Sequence, residues 1–279
     1  MKIGVVTRPN SDAAAAAVEL FTGLAAQRGM LVGSVEERGS GVALEPDRMA
    51  DCDVVIAIGG DGTVLEAVRY GVPNDLPVLG VNVGRVGFLA EAELDDLPVV
   101  VEVIAGQSWS EMSRMTLTST IEGGGSGVGL NDIVVEKINS QQLVSLELHI
   151  DGERFLTYRA DGLVFATPTG STAYNLSAGG PIVDPLIDTT IVTPVAPYSM
   201  FARALCLPPE SKIVCTVTLD RPAGVSADGV VVGMLDPGNS VTIERGPSRA
   251  RFITLSKRSY LQTVKAKLKL YEGLDGASF

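Results

Sequence analysis

Residues 53–71 read DVVIAIGGDGTVLEAVRYG. The apolar run at 53–59 is what a strand covered on both faces requires, because a parallel sheet buries both sides of its strands. The residues that follow read as a helix closed by Gly71. Working outward, KIGVVT (2–7) is a short β-rich run, followed by a loop with Pro9 and by 13–28, whose Ala and Leu content favours helix up to Gly29. PVLGVNVG (77–84) repeats the buried-strand pattern. Strand, helix, strand, helix, strand at this spacing predicts a parallel sheet with helices on its faces, an α/β domain. PVVVEVIAG (98–106) reads two ways: its β-branched content favours strand, while Asp95 and Asp96 before Pro98 mark a helix start.

Beyond about residue 110 the texture changes to short alternating runs: MTLTSTI, GLNDIVVEK, LVSLELHI, RFLTY, LVFAT, IVCTVTL, VVVGML, SVTIE and RFITL. These predict strands, with 168–210 a long Pro/Gly-rich connection. Asp151-Gly152 and Asp228-Gly229 stand between strand-like runs, and Asp-Gly supplies the positive φ angles of a tight hairpin. The second domain is therefore expected to be all-β, a sandwich or a related two-sheet arrangement. Near the end, Leu261, Val264, Leu268 and Tyr271 recur at helical spacing among Lys265, Lys267 and Lys269, an amphipathic helix that needs a surface to pack on.

The chain has 279 residues and a formal charge of −11, which argues against nucleic acid or an anionic membrane as a partner, since a polyanion needs a basic stripe. A small anion is still allowed, because a few backbone N–H groups can hold a phosphate inside an acidic protein. Cys52, Cys206 and Cys215 are unclustered and read as buried small hydrophobes. His149, the single histidine, shares strand parity with Glu147 and is expected to face solvent. No signal-peptide pattern opens the sequence and no apolar segment is long enough to span a bilayer, so a cytoplasmic protein is expected.

Three stretches could carry chemistry. IAIGGDGT (56–63) lies where a strand ends and a helix begins, the edge of an open α/β sheet at which ligands bind. Gly59, Gly60 and Gly62 let a phosphate approach backbone N–H groups near the positive end of the helix dipole. Thr63 could bond a phosphate oxygen. Asp61 could instead be an ordinary N-cap. The phosphate-binding GxxxxGK[ST] loop is ruled out for want of its lysine, and a carboxylate beside phosphates is unwelcome unless it holds a metal ion or accepts a proton. The second stretch, ADGLVFATPTGSTAYNLSAGGPIVDP (160–185), gathers hydroxyls and glycines around Tyr174, suited to wrapping a ligand with sugars and phosphates. In the third, Asn131 and Asp132 precede a strand. They offer groups for an adenine edge and ribose hydroxyls, or ordinary turn chemistry.

In combination, GGDGT (59–63), ND (131–132) and DGLVFATPTGSTAYNLSAGGPIV (161–183) resemble the NAD kinase family. The likeness continues through VNVGRVGFL (81–89), TPVAPYSMFARALCLP (193–208) and the Asp228-Gly229 hairpin. GGDGT alone is shared with lipid kinases and phosphofructokinases, whereas TPTGSTAY is much narrower. The resemblance implies an amino-terminal α/β domain (1–108), a β-sandwich-like NAD-binding domain (109–255), and a last segment (256–279) whose helix returns to the first domain. It also implies an active site in the cleft between the domains and a helix over 98–105. The implied reaction moves the γ-phosphoryl group of ATP, or of polyphosphate, to the 2′-hydroxyl of the adenosine ribose of NAD, with Mg²⁺ or another divalent cation. A homo-oligomer, dimer or tetramer, is implied as well.

Carried over residue by residue, Asp61 would be the base and Gly62 its partner in the substrate site. Asn131 and Asp132 would hold the nucleotide, and Thr172, Ala173, Tyr174, Asn175, Leu176 and Ser177 would line its pocket. Asp161 would contact a ribose or the nicotinamide half, with Arg159 its neighbour. Gly59, Gly60 and Thr63 would face donor phosphates. Two positions depart from the family pattern: Asp132 stands where glutamate is usual, and Val230 where a glutamine commonly follows the late Asp-Gly. Glu66 keeps a lipid kinase as one alternative, and a non-catalytic NAD(P)-binding sensor is another.

Overall fold

The structure, a computed structural model, describes residues 1–8, 10–37, 45–84, 87–139, 142–198, 201–219, 221–255 and 259–270. The expected roles of Pro9 and Tyr271, and parts of the 81–89 and 193–208 stretches, lie outside those residues. The chain divides into two compact units, Met1–Ser113 with Ala250–Phe279, and Arg114–Arg249.

The first unit alternates as expected. β1 (Lys2–Thr7) leads to α1 (Asp12–Gln27), whose N-cap Ser11 accepts from the Ala14 N–H. Then come β2 (Leu31–Glu37), β3 (Val54–Gly59), α2 (Asp61–Gly71) and β4 (Val78–Asn82). A short β5 (Ala92–Glu93), α3 (Leu97–Ala105) and β6 (Ser110–Arg114) follow. The segment around 98–105 is thus helical. Its β-branched residues lose to Pro98 in the first turn and to the burial of Leu97, Val100, Val101 and Ile104 as one stripe. They share a core with Ala17, Phe21 and Ala25 of α1 and with Ile56 and Ile58 of β3.

β2 is one of the strands the sequence does not announce. It forms one edge of the sheet, pairing only with β1 in parallel register, and Leu31 and Val35 are exposed, so no continuous apolar run announces it.

The second unit opens with β7 (Leu117–Ile121), β8 (Ser126–Gly129), β9 (Asp132–Lys137) and β10 (Val144–Ile150). β11 (Glu153–Ala160) and β12 (Gly162–Ala166) lead to a 3₁₀ turn (Thr169–Thr172) and the one-turn helix α4 (Tyr174–Ser177). β13 (Thr190–Val195), β14 (Leu205–Leu207), β15 (Ile213–Val217), β16 (Ala223–Ala227), β17 (Val230–Leu235) and β18 (Ser240–Arg245) complete it. Two sheets result, β11-β10-β15-β18-β7-β8 and β14-β13-β12-β9-β16-β17. Leu117, Leu146 and Val241 of one meet Ile133, Leu163 and Phe165 of the other in one core, a sandwich. Both Asp-Gly pairs form hairpin turns with positive φ at each residue, Asp151-Gly152 between β10 and β11 and Asp228-Gly229 between β16 and β17.

Several expectations need correction. The connection 168–210 contains two strands, β13 and β14. Pro194 disguises the first, and it is tolerated because β14 pairs only with Thr190, Ile191 and Val192, leaving the Pro194 side of the strand unpaired. RFITL was expected in the second domain, ending at 255, but β19 (Ala250–Thr254) pairs in parallel with β4. The helix α5 (Tyr260–Leu268) then starts from a Ser259–Gln262 capping box within the first unit. Val264 is its buried residue, while Leu261, about 60° around the helix at 3.6 residues per turn, is exposed. Cys52 and Cys215 are buried, but Cys206 is exposed because β14 is an edge strand. No helix among the described residues is long and apolar enough to cross a membrane.

Candidate active site

The candidate residues fall into two groups, one in each unit. In the first, β3 runs fully buried into Gly59, and α2 begins two residues later. The N-cap is Gly60, without a side-chain cap, so Asp61 is the first residue of the helix and not its cap. Its carboxylate instead accepts two backbone N–H bonds, from Phe88 to Oδ2 at 2.9 Å and from Leu89 to Oδ1 at 3.0 Å. Gly87 must be glycine for this to happen, since a Cβ there would collide with the Asp61 carboxylate. Asp61 and Gly62 remain partly exposed, and the space beside Gly60 is open. Thr63 is buried, and its side chain occupies the space a Cβ on Gly59 would need, so it packs inside the turn. Glu66 forms an ion pair with Arg69 at 3.2 Å. Asn82, paired with Gly59 across β3 and β4, donates to the Gly84 carbonyl, and its buried Oδ1 has no partner among the described residues.

In the second unit three remote segments converge. Asp228, held at φ 48° in its hairpin, accepts from the N–H groups of Leu130 (2.8 Å), Asn131 (2.7 Å) and Asp132 (3.1 Å). The carbonyls of Leu130 and Asn131 accept from the Thr167 hydroxyl (2.5 Å) and N–H (2.9 Å). Gly170 lies so close to the Asn131 backbone that a Cβ could not be added without moving main chain. Thr167 and Ser171 spend their hydroxyls inside this network, Ser171 on Val183, so the hydroxyl-rich loop is a buried scaffold.

Asn175 is completely buried: its amide donates to Ser171 and Pro181 carbonyls, and its Oδ1 accepts from Thr193 at 2.6 Å. Expected to line a pocket, its side chain is committed to the protein. Asn131 is the opposite, half-buried with a side chain that makes no hydrogen bond among the described residues. Thr172, Ala173 and Leu176 are partly exposed, and Tyr174 and Ser177 more so.

Asp132 begins β9 and is 5% exposed. Burial, and then the Asp228 carboxylate, push its carboxyl up to about 7. The Tyr174 phenol is raised by burial and by the charges of Glu136, Asp161 and Asp132. The cation paired with Asp161 is Lys137, at 2.5 Å. Arg159 is exposed and forms no ion pair among the described residues. Strand pairing brings Lys137 there, for its N–H donates to the Asp161 carbonyl.

The chain is similar to known proteins. Family models match in two blocks, the ATP-NAD kinase N-terminal domain over residues 40–107 and the ATP-NAD kinase C-terminal domain over residues 130–255. The NAD kinase of Desulforamulus reducens is 35% identical over 288 residues, covering 97% of this chain and 98% of that protein. The chain belongs to the NAD kinase family. The NAD kinase of Heliobacterium modesticaldum is 37% identical over 228 residues, 80% of this chain and 81% of that one. Among solved structures, an Archaeoglobus fulgidus NAD kinase in complex with ATP aligns at TM-score 0.78 and 25% identity, over 98% of this chain and 100% of that one. Yeast NADH kinase complexed with NADH aligns at TM-score 0.84 and 23% identity over 98% and 89%, a likeness of fold.

Within this NAD kinase family member, the groups that sequence reasoning missed are those whose role depends on contact. Gly87, Phe88 and Leu89 belong to the quoted GRVGFL stretch, but nothing in it says that their peptide groups hold Asp61. Lys137 ends the GLNDIVVEK run, and only the pairing of β9 with β12 reveals its partner. Asp228 was recognised as a turn former, whereas its carboxylate ties three peptide groups of another strand.

Proposed function

We propose that the chain is an NAD kinase, transferring the γ-phosphoryl group of ATP to the 2′-hydroxyl of the adenosine ribose of NAD, with Asp61 as the base. The observation that carries the reading is a carboxylate, in place of a phosphate-loop lysine, set in the glycine turn at the carboxyl end of β3 and oriented by two peptide N–H groups. A carboxylate has about four acceptor sites, so two such bonds leave a lone pair on each oxygen for a substrate hydroxyl. Asp61 would take the 2′-hydroxyl proton as the new oxygen–phosphorus bond forms and the bond to the ADP leaving group breaks. Gly60 and Gly62 leave main chain open to phosphate. The uncommitted Asn131 amide, Asp132, Asp161 and the Tyr174 ring would hold the nucleotide, while Asn175 and Thr63 support the loops from within.

Family membership implies a divalent cation. Among the described residues no group of three or more acidic, histidine or cysteine side chains could cage one, and Asp61 is the carboxylate that would stand beside an ion brought with the donor phosphates. Such an ion neutralises phosphate charge.

Incubation of the purified chain with Mg-ATP and NAD, with polyphosphate as a parallel donor and a diacylglycerol dispersion as a parallel acceptor, tests the reading. NADP formation is the expected result. Phosphorylated lipid without NADP would favour a lipid kinase, and tight NAD binding without transfer would favour a sensor.

A further inference from the structure

The two peptide groups that hold Asp61 need an anchor of their own. Leu89 supplies one by being buried, and Glu91 extends it by donating its N–H to the Gly80 carbonyl. Phe88, between Gly87 and Leu89, keeps its ring half-buried. Over that ring sits the ammonium of Lys267, 5.9 Å from the centroid, in the last turn of α5. A cation at this distance is attracted by the negative face of the ring, by about 0.5–1 kcal/mol at an exposed site, which favours ring positions beneath the ammonium. A path of two contacts therefore runs from the last helix, Lys267 to the Phe88 ring and Phe88 N–H to Asp61 Oδ2, with Leu89 N–H to Oδ1 beside it.

We propose that Lys267 is a positioning residue for Asp61, acting through the Phe88 ring to hold the 88–89 peptide groups against the carboxylate. This rests on Asp61 being the base. The placement explains a use for α5 beyond packing, since its one buried residue, Val264, stands one turn before Lys267 and docks the helix in the orientation that brings the ammonium over the ring. A base held by two N–H bonds presents its free lone pairs in a fixed direction, and misplacing a reacting group by a fraction of an ångström is costly in rate.

The test uses the full chain with Lys267→Met, Lys267→Arg, Phe88→Leu and the double Lys267→Met/Phe88→Leu variants. Hydrogen exchange of the Phe88 and Leu89 amides is read beside kcat and KM for NAD and ATP. Lys267→Met is expected to speed exchange of both amides and lower kcat about two- to fivefold, the range for an exposed cation–ring contact, with both KM values nearly unchanged. Lys267→Arg should restore exchange and kcat, and in the Phe88→Leu background Lys267→Met should add nothing. Unchanged exchange in Lys267→Met, losses that simply add in the double variant, or a rise in KM for ATP alone would overturn the proposal, the last by making Lys267 a phosphate contact. Failure of the base reading shows separately: if Asp61→Asn keeps its turnover while exchange still answers to Lys267, the mechanical link holds and its role in positioning a base is overturned.

Discussion

The turn at 59–63 and the network at 130–132, 167–177 and 228 use similar residues in opposite ways. In the first unit a single polar side chain, Asp61, stays partly exposed while main-chain groups orient it and glycines clear the space around it. In the second, Thr167, Ser171, Thr193, Asn175 and Asp228 bond to one another or to peptide groups, and most of them are buried. One region presents a reactive group, and the other builds a rigid wall from groups that would otherwise be ligands. The lesson is that polarity in a loop does not identify a binding residue. What matters is which hydrogen-bonding groups are left over after the fold has used its share.

The comparison is broken most directly at Asp61. Asp61→Asn should keep the fold, at a cost of about 1–3 kcal/mol because its amide nitrogen cannot accept from the Phe88 or Leu89 N–H, and should lower kcat by about 10² to 10⁴, the range for general-base assistance. Near-normal turnover in a coupled NADP assay would reject the assignment.

Next comes Asp132, whose carboxyl is pushed from 3.8 to about 7. Between those values the folded chain keeps a proton that the unfolded chain has lost, so stability falls as pH rises from about 4 to about 7 and the full cost is present above 7. Asp132→Asn should therefore stabilise the chain by at most about 4 kcal/mol at pH 8 and by progressively less toward pH 4. Thermal melts of both proteins at pH 5 and pH 8 check this, and a difference that does not change with pH would contradict it.

The two asparagines sharpen the contrast inside the second unit. Asn175→Ala strands buried partners and should cost about 1–3 kcal/mol in denaturant unfolding. Asn131→Ala should leave stability within about 0.5 kcal/mol and instead weaken NAD binding, measured by calorimetry. Equal effects on both quantities would erase the distinction between wall and ligand group. Smallest of all, Gly60→Ala has open space and an ordinary φ of −100°, so melting should hardly move. Its expected signature is a higher KM for ATP, and an unchanged KM would remove Gly60 from the phosphate contacts.

Legibility in the sequence followed physical exposure. β3 and α2 could be read because a strand buried on both faces is apolar throughout, and the hairpins because Asp-Gly has few other uses between strands. β2 escaped because an edge strand needs no such run, and β13 because Pro194 argues against a strand until one sees that its N side is unpaired there. At the site, Asp61 stood out chemically, but nothing along the chain showed that pairing of neighbouring strands sets Lys137 against Asp161.

By itself, then, the sequence determined the order of elements around the glycine turn, the change from α/β to β-rich texture, and the residue types able to handle a phosphorylated nucleotide. These are local properties, written in periodicity, turn chemistry and short motifs. Tertiary structure alone decided which groups are consumed by the fold: that Thr63 and Asn175 face inward, that Asp228 ties the strand at 130–132, and that Phe88 and Leu89 reach Asp61. The reason is that hydrogen bonds and burial between distant segments depend on where the chain returns, and the spacing of residues along it does not encode that return.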